Sequence, residues 1–573
     1  MINLITQKEL TYGALCLNAA KLPLPQDPPL KKESEFKYME KPKARVDIPE
    51  KVSGKAIFGL DVDLPDLHYA VLSRPPAYGS TNQSFNADAA MKVDGVKMVV
   101  PTPRGIAVVA NSLYAAHKGR DALAAVWSPG SHPTLNTALV EESFIKDLEK
   151  PGTTVVTRGD IPKALTGAAK SHEATYYIPC VSHATMEPQT CTADVKPDQC
   201  DVFVPTQGQT LAHMVATNIS GLPPENVHIH TTFLGCGLGR RARPDQVVEA
   251  VIASKASQKP VKVVYTREED IKTDFFRSAM AHRIKAGLDA KGRIAAWDHK
   301  VSTASIKRHM GEEPKDGIDG YCLWGLFDVP QSPAKANMTY VFPNFSLNLV
   351  LSDLPIPVAP FRSVQNAVNA FATESFMDEM AHLAKVDPLT FRLQHLTGNM
   401  RAKRVLETVA KKSNWGKPLP KGSGRGIAQH SSFGTYIAQV AEVSVDEKTG
   451  VVKVLRVDAA VDCGPVINPD PLEAQIQGAV VLGVSTTLYE EVEFADGGPS
   501  SGNFDQYTIA TMKDAPDVRV HIVKSKEEIG GIGEPGIMPL APAVANAVFN
   551  ATGARLRRMP LTPGRVLAAL KKA

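Results

Sequence analysis

The chain has 573 residues, of which 43% are hydrophobic and 22% are charged. This composition is typical of a soluble globular protein, and at about 150 residues per domain the length predicts three or four domains or one large composite fold. The 64 lysines and arginines nearly balance the 60 aspartates and glutamates, so the formal net charge is +4. This balance gives no electrostatic case for nucleic-acid binding, and no segment approaches the roughly 18 apolar residues of a membrane helix.

Seven cysteines are scattered along the chain without a CxxC pair. The sequence therefore encodes neither a zinc knuckle nor an iron–sulfur loop, and any iron–sulfur cluster must belong to another chain. Cys180, Cys191 and Cys200 could pair in an exported protein, but we expect them to be buried free thiols.

The first part of the chain predicts an exposed arm followed by a small α+β unit. Residues 23–42 are rich in proline and lysine and lack periodicity, which favours an extended arm or linker. Beyond them, residues 59–62 and 96–100 are β-prone, and the alanine-rich stretch 112–126 predicts a helix. Asp160 is the expected N-cap of a further short helix with a proline in its first turn.

The remainder predicts a large α+β body that contains hairpins. Residues 282–302 and 440–461 each predict two strands joined by a tight turn, and residues 518–522 alternate like a half-buried strand. Apolar residues in 372–383 recur at helical spacing, and Asp387 followed by proline predicts the start of another helix. Regular βαβ alternation is missing from this pattern, which argues against a TIM barrel and a simple doubly wound sheet.

A glycine-rich segment, FLGCGLGRR at residues 233–241, is the first candidate for chemistry. Glycines at every second position let the backbone approach a bulky ligand and turn N–H groups toward an anion, and Arg240 and Arg241 add cationic donors. The spacing G-x-G-x-G does not match the dinucleotide fingerprint G-x-G-x-x-G, so a nicotinamide dehydrogenase rests on this loop alone. The competing interpretation is a tight bulged turn with two surface arginines.

A single carboxylate, Glu534, stands among glycines and a proline before a strongly apolar segment that predicts a helix ending at Gly553. A carboxylate in apolar surroundings is suited to act as a general base, because burial rather than a charged partner sets its pKa. The competing interpretation is an exposed loop glutamate.

Two further segments offer polar groups to a site. In PVAPFRSVQN, Arg362 beside an aromatic residue could clamp a carbonyl or ring nitrogen of a substrate, or it could be part of a salt-bridged connector. In VPTQGQT, Gln207 follows a β-prone run and can donate amide hydrogen bonds. In SHATMEP, His183 and Glu187 lack the second histidine of a metal motif, so we interpret His183 as a buried, hydrogen-bonded histidine.

Taken together and in this order, these segments resemble the molybdenum-binding subunit of the xanthine oxidase and aldehyde oxidase family. The resemblance is strongest to its isoquinoline 1-oxidoreductase beta-subunit branch, which includes large subunits of bacterial membrane-associated aldehyde dehydrogenases. It covers nearly the whole chain from about residue 41, through GKAIFGLDVDLPDLHYAVLSRPP, SHATMEP, VPTQGQT, FLGCGLGRR, PFRSVQNA, VDCGPVINP, AQIQGAVVLG and GGIGEPG.

The resemblance implies an α+β fold in which an α/β hammerhead domain precedes two molybdopterin-binding domains of the xanthine oxidase large-subunit type. The expected limits are an arm at 1–40, the hammerhead at 41–150, and the two parts of the cofactor-binding region at 151–400 and 401–573. The second of these parts carries the loop of Glu534.

The resemblance also implies the roles of individual residues. Glu534 is expected to be the general base, Gln207 to lie beside the metal's oxo ligand, and Arg362 to orient the substrate. No side chain of the chain is expected to ligate the metal. Cofactor contacts are expected from Gly235, Cys236, Gly237, Leu238, Gly239, Arg240, Gln475 and Gly533.

The implied reaction is hydroxylation of an aldehyde, to a carboxylic acid, or of an N-heteroaromatic carbon, with oxygen derived from water. The implied cofactor is molybdenum-molybdopterin, with the cytosine dinucleotide form left open. Electrons are expected to leave through an iron–sulfur subunit, and a cytochrome c subunit carrying haem c is an open further partner. An alternative is a non-catalytic assembly subunit of such a complex.

The sequence departs from the family pattern at two places. The glycine loop of the family reads GGGFG, whereas Cys236 replaces the second glycine here and Leu238 replaces the phenylalanine. The MGQG motif that contacts the pterin is missing from this sequence, so we expect another chain to supply it. A periplasmic location with membrane association only through partners is expected, with a cytoplasmic location as the alternative.

Overall fold

Strands and helices alternate irregularly along the chain in a computed structural model that describes residues 5–327 and 338–573. The strands are β1 (His68–Ser73), β2 (Asn82–Ser84), β3 (Val96–Thr102), β4 (Gly105–Ala110), β5 (Val126–Trp127), β6 (Thr153–Arg158), β7 (Lys170–Ile178), β8 (Thr190–Val195), β9 (Cys200–Val204), β10 (Val227–Thr231), β11 (Val261–Val264), β12 (Met280–Leu288), β13 (Ile294–Ala304), β14 (Asn344–Ser352), β15 (Ser423–Ser432), β16 (Thr435–Val445), β17 (Val452–Asp462), β18 (Phe494–Ala495), β19 (Gly498–Pro499) and β20 (Asp517–Ile522).

The helices frame these strands on several sides. They are α1 (Tyr12–Ala19), α2 (Ile48–Val52), α3 (Ala87–Met91), α4 (Leu113–Ala122), α5 (Thr137–Asp147), α6 (Ile161–Thr166), α7 (Gln209–Ser220), α8 (Asp245–Ser257), α9 (Arg267–Lys272), α10 (Ile306–His309), α11 (Asn366–Ala384), α12 (Pro388–Gln394), α13 (Met400–Ser413), α14 (Pro469–Leu488), α15 (Leu540–Thr552) and α16 (Pro563–Leu570). Within the described residues, no helix has the length and apolar character needed to cross a membrane.

A seven-stranded mixed sheet has the order β10-β9-β8-β11-β1-β4-β3. Side chains alternate along β1, so that Ala70 and Leu72 pack toward α7 and α8 while Val71 packs toward α3 and α4. The strands of this sheet come from both sides of residue 150, because β1 pairs with β4 and also with β11. The expected limit at residue 150 therefore divides the chain but not this sheet, and the domain limits stay predictions.

Two further sheets, β6-β14-β13-β12-β7 and β15-β16-β17-β20, share the largest hydrophobic core. Trp297 of β13 lies in this core, stacked on Phe342 and edge-on to Phe376 of α11. The opposite face of the first of these sheets packs on α5 through a second core. The helix α15, which follows the loop of Glu534, packs on β15.

The local patterns predicted most elements correctly. Both predicted hairpins form, as β12–β13 and β16–β17, and β20 covers residues 517–522. Ser112, Asp160 and Asp387 cap their helices, each accepting a backbone N–H. The expected strand at 59–62 is wrong, because this stretch is a turn closed by the Phe58 N–H donating to the Asp61 carboxylate.

The N-terminal arm is exposed, as expected, but it contains a short helix, α1, capped by Thr11. At the end of the arm, residues 40–43 contact the C-terminal part of the chain. Glu40 donates its N–H to the Val466 carbonyl at 3.0 Å, and the Lys43 N–H donates to the Asn468 side chain at 3.2 Å. These contacts tie the end of the arm to the turn that precedes α14.

The close packing of α15 on β15 depends on Gly426. A Cβ at this position would collide with the Ala543 carbonyl oxygen and the Ala547 nitrogen, which are helix backbone atoms that cannot move aside. We expect Gly426→Ala to lower the free energy of unfolding by about 2–3 kcal/mol, because overpacking forces the helix away from the sheet. The thermal unfolding midpoint measures the effect.

Gly564→Ala is the matched control, because no atom lies within 4 Å of a Cβ placed there. Its effect should stay within about 1 kcal/mol, the ordinary difference between the two residues in a helix. Equal midpoints for the two variants would contradict the assigned packing.

Candidate active site

A cleft of about 280 Å³ brings together residues from four segments that are distant in sequence. It is lined by Gln207, Leu238, Gly239, Pro360, Phe361, Arg362, Val364, Gly533 and Glu534. The three side chains expected to act in catalysis are all among them. A larger cavity of about 540 Å³, near Arg74 and Lys272, contains none of the three. We therefore place the candidate active site in the smaller cleft.

The glycines of the loop are required by close backbone packing. A Cβ on Gly235 would collide with Glu187, and one on Gly237 would lie 2.6 Å from the Gln207 side-chain oxygen. Gly239 has φ +116°, and a Cβ on it would collide with the Pro360 carbonyl oxygen. The three positions therefore exclude a side chain, as the sequence pattern predicts.

The two residues that depart from the family pattern adopt left-handed backbone conformations. Cys236 has φ 76° and Leu238 has φ 54°, which is strained for residues with a Cβ. The N–H groups of Cys236 and Leu238 make no hydrogen bond to another described residue. Unpaired backbone N–H groups in a glycine-rich loop are suited to bind an anionic or strongly polar ligand.

Arg240 and Arg241 do not offer their charges to the cleft. Both are buried, with 1% and 0% exposure. The guanidinium of Arg240 donates two hydrogen bonds of 2.8 Å to Asp245, and that of Arg241 lies 3.0 Å from Glu187. Burial by itself would lower the pKa of Arg240, but Asp245 and its other acidic neighbours raise it overall.

Both interpretations of the arginine pair are thereby corrected. They are not surface residues, and the guanidinium of Arg240 is not a free donor for a cofactor, because its carboxylate partners lie within the protein. Both guanidiniums instead bind groups within the protein, and that of Arg241 also donates to the Cys236 carbonyl of the loop at 2.8 Å.

Glu534 is partly buried at the floor of the cleft. Its Oε2 accepts the N–H of Ser363 at 2.8 Å. Burial raises the pKa of Glu534 above its ordinary value of 4.5, although this N–H and the charge of Arg362 act in the opposite direction. The competing interpretation of an exposed loop glutamate is therefore wrong.

The backbone that holds Glu534 is itself unusual. Ser363 and Val364 have φ 85° and 54°, two successive left-handed residues other than glycine. This turn aims the Ser363 N–H at Oε2 of the carboxylate, and no hydrogen bond from a described residue holds Oε1. The sequence predicts a functional segment at 357–366 but does not mark Ser363 and Val364, because a positive φ outside glycine has no reliable sequence signal.

Arg362 links the loop of Glu534 to α14. Its Nε donates to the Gly533 carbonyl at 2.8 Å, and its Nη2 donates to Oε1 of Gln475 at 2.8 Å. Burial lowers the pKa of this guanidinium below its ordinary value. Gln475 thus reaches the site through Arg362 and is not among the residues that line the cleft.

Gln207 faces Glu534 across the cleft. Its side-chain oxygen accepts the N–H of Gly239 at 3.1 Å, which leaves the amide NH2 group as a donor toward the cleft. The backbone N–H of Gln207 donates to the Arg241 carbonyl at 3.0 Å. The glutamine is therefore fixed to the glycine loop at both ends.

His183 is buried and fully hydrogen-bonded, as predicted. Its Nδ1 lies 3.0 Å from the Asp274 carboxylate and its Nε2 lies 3.1 Å from the Pro360 carbonyl. Cys180, Cys191 and Cys200 are buried free thiols, as expected. Among the described residues, no group of three or more histidine, cysteine and acidic side chains is arranged to hold a metal ion.

Comparison with known families defines the class of protein. Models of a molybdopterin cofactor-binding domain match residues 145–307 and 363–516. The chain is 32% identical to a membrane-bound aldehyde dehydrogenase of Gluconacetobacter polyoxogenes, named for pyrroloquinoline quinone, over 95% of this chain and 74% of that protein. It is 30% identical to the isoquinoline 1-oxidoreductase subunit beta of Brevundimonas diminuta, over 95% of this chain and 70% of that protein.

Solved structures agree on the fold. Quinoline 2-oxidoreductase from Pseudomonas putida 86 superposes with a TM-score of 0.80 at 14% identity, covering 95% of this chain and 99% of that chain. The aldehyde oxidoreductase of Desulfovibrio gigas gives a TM-score of 0.78 at 15% identity, over 97% of this chain and 83% of that chain. The chain belongs to the xanthine oxidase family of molybdopterin-binding proteins.

The raised pKa of Glu534 predicts a pH-dependent cost in stability. A carboxyl whose pKa is higher in the folded state favours folding in its protonated form, so the wild type loses this contribution as pH rises from below 4.5 through the raised pKa. Glu534→Gln mimics the neutral form. We expect this variant to have a higher thermal midpoint than the wild type near pH 7 and a similar midpoint near pH 4.

Glu527→Gln is the matched control, because this glutamate is 52% exposed on the preceding segment. Its midpoint should follow that of the wild type at both pH values. A Glu534→Gln variant that is less stable than the wild type near pH 7 would contradict the desolvation of this carboxyl.

Proposed function

We propose that the chain is the catalytic molybdopterin-binding subunit of an oxidoreductase that hydroxylates an aldehyde or an electron-poor N-heteroaromatic carbon with oxygen from water. The observation that carries this proposal is the convergence of Glu534, Gln207 and Arg362 on one cleft beside the glycine loop. Glu534 lies beyond both matched domain segments, so its role rests on this geometry and on the GGIGEPG motif.

The residues of the cleft fit a molybdopterin. The glycine loop presents the unpaired N–H groups of Cys236 and Leu238, and Gln207 presents its amide NH2. On the other side, Gly533 has no atom within 4 Å of the place where a Cβ would stand, so its backbone is open to a flat ligand. Gly237 is proposed to contact the cofactor through its backbone, whereas both backbone polar groups of Gly235 bind Glu187, so Gly235 is proposed only to support the loop. When bound, the molybdenum cofactor supplies the two-electron oxidation.

The chain's own groups have distinct tasks in this reaction. Oε1 of Glu534 accepts a proton, while the Ser363 N–H holds Oε2 and fixes the orientation of the carboxylate. A pKa raised by burial brings this base closer to neutral pH, which strengthens it as a proton acceptor. Gln207 donates its amide N–H to an oxygen within the cleft and so stabilises developing negative charge there.

Arg362 holds the loop that carries Glu534, in addition to any contact with a substrate. Two of its nitrogens are already bonded to Gly533 and Gln475. We propose that it orients the substrate only through its remaining Nη1, and that it also keeps the loop of Glu534 against α14. The arginine thus has a positioning role that the sequence pattern does not indicate.

The wall of the cleft favours an uncharged organic substrate. Leu238, Phe361 and Val364 contribute apolar surface and exclude water from the reacting carbon. The relatives include both an aldehyde dehydrogenase and an isoquinoline 1-oxidoreductase subunit, and we favour aldehydes as the substrate class.

We further propose that electrons leave through an iron–sulfur subunit, because the sequence has no CxxC pair to bind a cluster of its own. The relative named as subunit beta of isoquinoline 1-oxidoreductase supports assembly with a further subunit. The relative named membrane-bound supports the predicted membrane association through partners. The periplasmic location, the cytosine dinucleotide form, a cytochrome c subunit with haem c and a separate chain with an MGQG segment stay predictions from the sequence.

The second candidate function is a non-catalytic assembly subunit. The strained Cys236 and Leu238 in the glycine loop favour it, because a side chain at these positions changes the surface that faces the cofactor. Stoichiometric molybdenum in the purified complex, together with aldehyde-dependent reduction of a dye, would rule it out. A stoichiometric quinone without molybdenum would overturn both candidates.

Glu534→Gln tests the proposed base. The purified native complex should keep its molybdenum content, and kcat should fall about 10²- to 10⁴-fold, the contribution of a positioned general base. Glu527→Gln should leave both quantities unchanged. If Glu534→Gln retained its molybdenum and its turnover were undiminished, the proposed role of Glu534 as the base would be wrong.

A further inference from the structure

The segment SHATMEP lies directly behind the cleft, and the proposed reaction does not use it. His183 and Glu187 are 3% and 8% exposed, so neither reaches a substrate. Glu187 accepts the N–H of Gly235 at 2.9 Å and therefore supports the start of the glycine loop. His183 contacts a different part of the site.

The ring of His183 joins two acceptors. Nδ1 lies 3.0 and 3.1 Å from the two carboxylate oxygens of Asp274, and Nε2 lies 3.1 Å from the Pro360 carbonyl oxygen. A carboxylate and a carbonyl can only accept hydrogen bonds, so both ring nitrogens are directed at acceptors of the protein. Both nitrogens are thus engaged within the fold, as expected for a structural histidine and not for a metal ligand.

Asp274 gathers donors from several segments. Its carboxylate accepts the Ser182 hydroxyl at 2.7 Å, the His183 N–H at 2.6 Å and the Phe275 N–H at 2.7 Å. Nε of Arg240 lies 3.2 Å away and connects the carboxylate to the glycine loop. Burial alone would raise the pKa of Asp274, but His183 and these donors lower it below its ordinary value.

The Pro360 carbonyl is where the two sides of the cleft meet. Gly239 packs against this oxygen, and its N–H holds Gln207. The chain then continues from Pro360 to Ser363, whose N–H holds Glu534. A hydrogen bond to this carbonyl therefore helps to fix the position of Gln207 on one wall of the cleft and of Glu534 on the other.

We propose that His183, paired with Asp274, is a positioning residue that holds the Pro360 segment against the glycine loop and thereby sets the separation of Gln207 and Glu534. The kinetic consequence rests on the proposed function. The structural consequence, a loosened glycine loop when the pair is broken, does not.

The glycine loop contains its own reporter. Cys236 is an exposed thiol in the loop, Cys16 is an exposed thiol in the arm, and Cys180 and Cys191 are buried. Alkylation by iodoacetamide, mapped by mass spectrometry, thus reports loop opening, general reactivity and unfolding in one experiment. The full chain, with its natural partners and at matched molybdenum content, is the sample.

His183→Gln and Asp274→Asn are compared with the wild type. A glutamine cannot donate to both acceptors at once, and an asparagine replaces one accepting oxygen of the carboxylate with an NH2 donor. Although Cys236 is exposed, burial raises the pKa of its thiol, so a loosened loop that hydrates the sulfur increases the reactive thiolate fraction. We therefore expect the alkylation rate of Cys236 to rise about tenfold in both variants, because the hydrogen bonds that hold the loop are lost. Cys16 should react at the wild-type rate, and Cys180 and Cys191 should stay protected. His228→Gln, at an exposed position of β10, should behave as the wild type.

Steady-state kinetics gives the second readout. We expect kcat to fall about 10- to 100-fold, because movement of the Pro360 segment displaces the base and proton transfer depends steeply on geometry. KM should change less than about threefold, because the apolar contacts of Phe361 and Val364 with a substrate are non-directional and tolerate a small displacement. The double variant should lose little more than either single variant, since both changes break one connected pair.

Unchanged Cys236 alkylation together with unchanged kcat in both variants would overturn the proposal. Exposure of the buried Cys180 and Cys191 in both variants would also overturn it, because the pair would then support the whole core and not the loop. If the wild-type complex oxidises neither aldehydes nor N-heteroaromatics, the proposed function fails, while the alkylation of Cys236 still decides whether His183 holds the loop.

Discussion

The candidate site depends on two buried ion pairs formed by neighbouring arginines of the glycine loop. Arg240 binds Asp245, and Arg241 binds Glu187, with almost no exposure of either guanidinium. Removing a charge from water costs free energy, which only a fixed partner of opposite charge offsets. These ion pairs therefore hold the loop from within the protein and leave its backbone on the cleft side available to a ligand.

Backbone groups account for most of the geometry of the cleft. The Ser363 N–H binds Glu534, and the Gly239 N–H binds Gln207. The Pro360 carbonyl oxygen lies within hydrogen-bond distance of His183 Nε2 and packs against Gly239. Backbone groups are more rigid than long side chains, and a rigid surround is what a site needs to keep a base and an amide donor at a constant separation. The strain of the left-handed residues is consistent with this, since strain persists where the surrounding structure holds the chain in place.

Most of the sequence predictions that were correct concern features set by residues close together in the chain. Hairpins and capped helices were predicted because the turn residues and capping side chains lie within a few positions of the elements they set. The strand at 59–62 was wrong because a side-chain contact of Asp61 with the nearby backbone outweighed β-propensity. The arginine pair was predicted to supply cationic donors to a ligand, with two surface arginines as the alternative. The ion pairs of Arg241 with Glu187 and of Arg240 with Asp274 were not predicted, because they join distant segments and leave no periodic pattern in the sequence.

The sequence by itself determined the family and the α+β class, and it predicted Glu534, Gln207 and Arg362 as site residues, because ordered short motifs are recognisable where overall identity is low. Only the tertiary structure decided that Arg362 is bonded to the loop of Glu534, that Arg240 lies against Asp274, and that His183 contacts the Pro360 carbonyl. These facts depend on contacts between segments far apart in the chain, and such contacts are set by packing in three dimensions and not by the composition of any one segment.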